Sequence, residues 1–406
     1  MARSTSALTV VCLASYFKGG DFLRQCRARG CRVILIVKER LRQEDWPFDA
    51  IDVLLSVPNA PTAEHFVQAV VELARGERVD RVIALEEYDV LNAALVREHL
   101  RLPGMGMTTA FLFRDKLAMR VKAVGAGVVT PDFVHLLHRS EIDEFVHGVA
   151  PPWVLKPRFD VASVGIQKLD SPALVWQAID ALDARPALNE RSSHFLLERY
   201  VPGDVFHVDS LVDDREVVYA SVGRYWRPPL DVAHRGGVFM TSTLLRQSPE
   251  ERALLAANRA VLGALNMVRG ATHAEFIRAA DGQIYFLEVA ARVGGAYIAE
   301  VAEAATGINI WREWADIELL RGERQYRLPQ ARADYAGVAL ALARQEWPDT
   351  SAYDDAEIVH RVHKRHHVGL IVRSATSDRV HDLLERYGSR FVQDFLAVLP
   401  PPDKPE

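Results

Sequence analysis

The stretch Gly270–Gly295, GATHAEFIRAADGQIYFLEVAARVGG, constrains the fold of this chain more than any other. Its apolar and polar residues alternate like two antiparallel strands joined by a turn at Asp281-Gly282. Glu275 and Glu288 sit on those neighbouring strands. If both project to one face, the two carboxylates could share one or two magnesium ions, which prefer hard oxygen ligands completed by phosphate oxygens and water. Arg292 follows close by and could reach the same phosphate. Taken singly, each glutamate reads equally as a solvent-facing strand residue paired with a lysine or arginine.

Ahead of this hairpin the chain changes rhythm twice. Apolar strands at Leu8–Leu13, Arg32–Val37 and Arg81–Leu85 alternate with helical stretches at Phe22–Arg29 and Ala63–Ala74, the pattern of an open, mostly parallel sheet. Glu86-Glu87-Tyr88-Asp89 follows the third strand, at a carboxyl end where such sheets hold ligands and where acidic residues also start helices. A helix from about Thr108 to Ala123 and a strand-like Val128–Val134 come next, and the first boundary is placed near Gly104–Gly106. From there to about Arg321 the pattern is α+β, with hairpin-like connections around Asp160, Asp213-Asp214 and Asp281-Gly282. A smaller unit follows, with strands near Gly337–Ala343, Glu357–His363 and Val368–Val372, a helix near Ser377–Tyr387 and a Pro-rich tail from Pro400.

Composition sets the remaining bounds. The 406 residues are 49% hydrophobic and 25% charged, enough for two to four packed domains of globular character. A net charge of -5 with both signs interleaved gives no broad cationic face, so nucleic acid is a poor partner. No apolar run is long enough for a bilayer. Cys12, Cys26 and Cys31 match neither a disulfide framework nor a zinc pattern, so the expected compartment is the reducing cytoplasm.

Two further stretches carry chemistry. In Trp153–Leu169, WVLKPRFDVASVGIQKL, Lys156 lies on an apolar strand before a polar turn containing Ser163 and Gly165. An inward lysine is costly to bury unless an anion meets it, and phosphate is the expected anion; the alternative is a hairpin with a snorkelling lysine. In Phe195–Asp209, FLLERYVPGDVFHVD, a turn at Pro202-Gly203 follows an apolar strand, and Glu198 with the backbone of Tyr200 and Val201 could face a planar base.

These three stretches in this order, with Asp115-Lys116 upstream, resemble the ATP-grasp superfamily, most closely its carbamoyl-phosphate-synthetase-like branch that includes the L-amino acid ligases. The resemblance implies a pre-ATP-grasp α/β parallel-sheet domain over residues 1–106 and a two-subdomain α+β ATP-grasp fold over 107–325, with a lid at about 128–202. A small carboxy-terminal α+β extension over 326–406 completes it. By resemblance, Lys116 and Lys156 are the phosphate-binding lysines, Lys156 and Arg292 the catalytic cations, and Arg158–Gly165, with Ser163, the phosphate lid. Glu198, Tyr200 and Val201 match the adenine-contacting hinge, and Glu275 and Glu288 the magnesium carboxylates. Two positions depart. Ala290 stands where the family usually has a metal-binding asparagine, and Gly203-Asp204-Val205 lacks the usual ribose-binding glutamate, leaving Asp204 or His207 for that role.

The implied reaction is ATP-dependent: an acyl phosphate forms from a carboxylic acid, and an amine then displaces phosphate. ATP and Mg²⁺, with Mn²⁺ as an alternative ion, are the implied cofactors, small carboxylates and amines the partners, and a homodimer is left open. A carboxylating or formate-using relative is the alternative enzyme, and a nucleotide-binding regulatory protein the alternative from another class. Arg224–Gly237, with three arginines, two aromatics and His234, is expected to border the acceptor site or form a solvated loop. Trp311 and Trp314 read as core, and the basic run His360–His367 as a strand end in which Arg361, Lys364 and Arg365 oppose metal binding.

Overall fold

The computed structural model describes residues 7–160, 165–230, 232, 236–320 and 326–398. Ser163, His234 and the tail from Pro400 lie outside the described residues.

Four parallel strands form the first sheet, in the order Val53–Val57, Arg32–Lys38, Thr9–Ala14, Arg81–Ala84. The inner two are buried almost throughout, as expected of strands covered on both faces. Val53–Val57 was not among the expected strands; its first four residues are only half-buried, and it is pairing with Arg32–Lys38 that defines it. All three cysteines are buried free thiols in this unit.

The helix expected from Thr108 to Ala123 is two helices, Met107–Phe111 and Lys116–Gly125. Asp115 breaks the run: its extended backbone leaves the helical region, and its carboxylate accepts from the N–H groups of Leu117 and Ala118 as an N-cap. The same carboxylate holds Arg158, with Nε at 2.9 Å. Downstream, the strand expected at Val128–Val134 is confined to Phe133–His135, beyond Pro131, which has no N–H for a ladder.

Two antiparallel sheets follow. The larger has eight strands in the order Ile284–Ala290, Gly270–Arg278, Asp204–Asp213, Glu216–Tyr225, Phe239–Thr243, Tyr335–Leu342, His367–Ser374, Ile358–Arg361. The hairpin turns at Gly282, whose φ of 85° suits a residue without a Cβ. The smaller sheet runs Phe133–His135, Phe195–Arg199, Trp153–Pro157, Gln167–Leu169, and its outer face packs Trp153, Leu155 and Leu197 against Ile142 and Ile179 from two helices. Residues from both sheets line one cleft.

The carboxy-terminal strands are hydrogen-bonded into the large sheet through Phe239–Thr243 and Tyr335–Leu342. The helix Ser377–Asp394 seals that end with Leu383, Leu384, Tyr387 and Phe391, all fully buried. Among the described residues, no helix is long and apolar enough to cross a membrane.

Gly337 sits at the seam. A Cβ there would lie 2.9 Å from the Thr241 carbonyl oxygen and 2.6 Å from Leu384 Cδ1. Gly337→Ala is therefore expected to destabilise the protein by roughly 1–3 kcal/mol, read as a lowered urea midpoint. An unchanged midpoint would mean that this end of the sheet is not packed as described.

Candidate active site

The cleft between the two sheets is built from alternation on both. In Trp153–Pro157, Trp153 and Leu155 face the small core, which turns Val154 and Lys156 toward the cleft. On the neighbouring strand Glu198 faces the same way and is registered opposite Val154. From the large sheet, Val205, Glu275, Ile277 and Glu288 form the opposing wall.

Glu275 and Glu288 are direct cross-strand partners, with the register slipping immediately afterwards so that Phe276 pairs with Phe286. Leu287 is the extra residue of this bulge, and it too lines the cleft. Like charges directly opposite each other are unfavourable, so each carboxylate needs its own compensation. Glu275 accepts a 2.8 Å hydrogen bond from the Tyr225 hydroxyl. Glu288 lies 3.2 Å from Lys116 Nζ. Burial alone would raise the Glu288 pKa, but Lys116 and Lys156 outweigh it and bring it down to about 2. Glu288 is thus ionised at any physiological pH.

Lys116 is delivered by the helix that Asp115 caps, and its Nζ also donates to the Asp160 carbonyl at 2.6 Å. Lys156 lies 2.6 Å from Glu198, and both are buried. Burial outweighs that partner and lowers the Lys156 pKa to about 8. The other oxygen of Glu198 accepts from Arg120 Nε at 2.6 Å. Arg292 is reached from the other side: its Nε lies 3.2 Å from Glu87, whose second oxygen accepts from Arg114 at 2.5 Å. These contacts tie the acidic loop after the first sheet to the segment that follows the Gly270–Ala290 hairpin.

Lys116, Lys156, Glu198, Tyr200, Val201, Glu275 and Glu288 therefore come together around one cleft, with Arg292 held at Glu87. Asp204 and His207 do not join them. Asp204 is half exposed and pairs with Arg224 at 2.9 Å, on the outside of the strand. His207 is buried, with Nδ1 2.6 Å from Asp209 and Nε2 2.8 Å from Thr241, so its ring is fully engaged within the protein. Val205, between them, is the residue of this strand that faces the cleft. Gly203 also has a packing role, since a Cβ there would stand 2.3 Å from the Arg278 carbonyl oxygen. Of the arginine-rich segment 224–237, Pro228, Pro229 and Leu230 line the cleft.

Arg114, Arg120, Asp209 and His273 had not been singled out from sequence. Arg120 carried a usable signal, because it lies four residues after Lys116 and hence on the same helix face. Asp209 lies two residues after His207 on one strand, and it bridges His207 and His273, the latter at 2.8 Å. Burial works against the His273 cation, but Asp209 prevails and raises its pKa to about 9.

Residues 149–300 match the family model for the ATP-grasp domain. The chain is 25% identical over 246 residues to an L-arginine-specific L-amino acid ligase of Bacillus subtilis, which covers 60% of this chain and 58% of that one. It is 28% identical over 113 residues to a D-alanine–D-alanine ligase of Hydrogenovibrio crunogenus, covering 27% of this chain and 34% of the ligase. The matched part thus spans less than two thirds of the length of either relative. In three dimensions it resembles the L-amino acid ligase from Bacillus licheniformis, with a TM-score of 0.76 at 16% identity over 97% of this chain and 99% of that one. A biotin carboxylase domain from Hydrogenobacter thermophilus, solved with Mg·ADP, gives 0.72 at 18% identity over 95% and 90%. The match to the ATP-grasp domain lies within residues 149–300, and the parallel-sheet unit followed by antiparallel sheets agrees with the fold of these neighbours.

The Asp209–His273 pair has a definite pH signature. A histidine raised from its ordinary 6.5 to about 9 contributes stability that is complete below pH 6.5 and lost as pH climbs through 9. Denaturant midpoints should fall across that window. Asp209→Asn should cost on the order of 3 kcal/mol at pH 6.5 and remove most of the slope; an equal slope in the variant would place its origin elsewhere.

Proposed function

We propose that this protein is an ATP-dependent carboxylate–amine ligase that joins a carboxylic acid, an amino acid foremost, to an amine through an acyl phosphate, releasing ADP and phosphate. The observation that carries this reading is the convergence of two buried lysines and two facing carboxylates on one cleft, Lys116 and Lys156 with Glu275 and Glu288, within the ATP-grasp match. The similarity to amino acid ligases in sequence as well as fold supports amide formation over carboxylation, for which the likeness is one of fold.

The residues divide the work by charge. Lys116 and Lys156 would hold the phosphates of ATP, with Tyr200 and Val201 at the base. A carboxylate oxygen of the substrate attacks the γ-phosphorus, the bond to the β-phosphate oxygen breaks, and ADP departs. Arg292, fixed by Glu87, is suited to meet the negative charge on the transferred group and on the acyl phosphate. The amine nitrogen then attacks the acyl carbon, phosphate leaves, and the amine gives up its proton. Closing the cleft over the acyl phosphate protects it from water.

The donor set fits a hard divalent cation. Glu288 is held ionised, Glu275 is oriented by Tyr225, and Ala290 adds no ligand, so water and phosphate oxygens would complete the shell. Glu275 and Glu288 would hold Mg²⁺, or Mn²⁺ in its place, which when bound neutralises phosphate charge.

Incubation with ATP and paired amino acids should yield ADP and phosphate in equal amounts with the amide product; AMP as the stoichiometric product would remove the acyl-phosphate route. Glu288→Gln should lower turnover by about 100-fold or more while nucleotide binding falls far less. Because the Lys156 ammonium is the form that attracts phosphate, Mg·ATP affinity should hold below about pH 8 and weaken above it. Calorimetry on Lys156→Ala should show weaker binding without that alkaline decline. A decline of equal size in the variant would assign it to another group.

A further inference from the structure

Lys156 has only one acidic side chain in direct contact among the described residues, Glu198 at 2.6 Å, and that glutamate does not belong to Lys156 alone. Arg120 donates to the opposite carboxylate oxygen, also at 2.6 Å. The three groups are almost wholly shielded, with exposures of 0% for Arg120, 3% for Glu198 and 4% for Lys156. Two cations thus share one carboxylate inside the protein. Neither Nη atom of Arg120 has a hydrogen-bond partner within the described residues, and the guanidinium lies 5.5 Å from the Phe286 ring. A fully buried arginine held by a single hydrogen bond is an expensive arrangement for packing alone, since an apolar side chain of similar volume would avoid the desolvation.

We propose that Arg120 is a positioning residue for nucleotide binding: by neutralising Glu198 it leaves Lys156 free to move from that carboxylate to the phosphates. This rests on the reading of the cleft as an ATP site, and it assigns a role to a residue that does not line the cleft. A carboxylate facing Lys156 competes with phosphate for the same ammonium. With Glu198 already paired to Arg120, releasing Lys156 leaves no uncompensated buried anion. Without Arg120, release would strand the Glu198 charge, and Lys156 would stay where it is. The charges around Lys156 agree: Glu198 on its neighbouring strand and Glu288 across the cleft favour the ammonium, while Arg120 on the helix below opposes it.

The test is a double-mutant cycle read as Mg·ATP binding by calorimetry, across pH 7 to 10, on Arg120→Met, Glu198→Gln and the double variant. Arg120→Met should weaken binding by on the order of tenfold or more in the wild-type background and far less in the Glu198→Gln background. In turnover assays its effect should fall on KM for ATP and not on kcat. Its alkaline loss of affinity should also move to higher pH than in the wild type, because the opposing cation has gone; a purely structural arginine would not move that midpoint. Arg120→Lys, which keeps the charge, should stay close to wild type and serves if Arg120→Met does not fold. Equal losses in both backgrounds, an unmoved pH midpoint, or Arg120→Lys as damaging as Arg120→Met would overturn the proposal. Wild-type protein that binds Mg·ATP but forms no amide would sink the ligase reading and leave this inference standing. Wild-type protein that does not bind Mg·ATP would sink both.

Discussion

The arrangement of this protein depends on how it buries charge. Lys116, Lys156, Arg114, Arg120 and Arg292 meet Glu87, Glu198 and Glu288 in and beneath the cleft, each cation within ion-pairing distance of a carboxylate. Isolated, any of these groups would be costly to take out of water. Paired, they fix one another, and the cations outnumber these carboxylates. The result is a set of mutually fixed charges whose orientation is settled by the fold before anything enters the cleft.

That requirement explains the connectivity. The paired residues come from four parts of the chain: the loop after Arg81–Ala84, the segment around the Lys116–Gly125 helix, the small sheet, and the hairpin Gly270–Ala290 with the residues just after it. Of these pairs only Lys156 and Glu198 share one unit, on neighbouring strands of the small sheet; the others join different parts of the chain. Glu87 reaches Arg292 across more than two hundred residues, and Glu198 reaches Arg120 across 78. The first unit is fastened a second time where Asp316 accepts hydrogen bonds from Gln25 in the helix Gly20–Ala28 and from its C-cap Arg29. The first unit is thus tied to the rest of the chain at two places, and its acidic loop holds Arg292 through Glu87.

Sequence carried the elements better than their partners. The hairpin with Glu275 and Glu288 was legible because alternation fixes both strand and face, and Asp281-Gly282 fixes the turn. Lys156 was legible because a lysine amid Trp153–Leu155 has to point away from their core. The eight-stranded sheet was not, since periodicity at 335–374 announces strands without saying which edge they extend. The split at Asp115 was missed because its cap competes with an otherwise continuous helical pattern. Asp204 and His207 were assigned by position along the strand, where the direction of each side chain had to decide; the outward pairing with Arg224 and the inward pairing with Asp209 are both long-range facts.

Arg120 shows why ion-pair chemistry resists sequence reading. Its spacing of four from Lys116 places it on the same helix face but does not say that it is buried, and its propensity suits the helix either way. What distinguishes it is that Glu198, from a strand 78 residues away, is buried opposite it. The glutamate, in turn, reads as part of a hinge until its side chain is seen between two cations. Each residue's role is set by the other two, so the smallest unit with a meaning is the triad. A buried charge network therefore becomes visible only when the fold has closed, although every member was present in the sequence from the start.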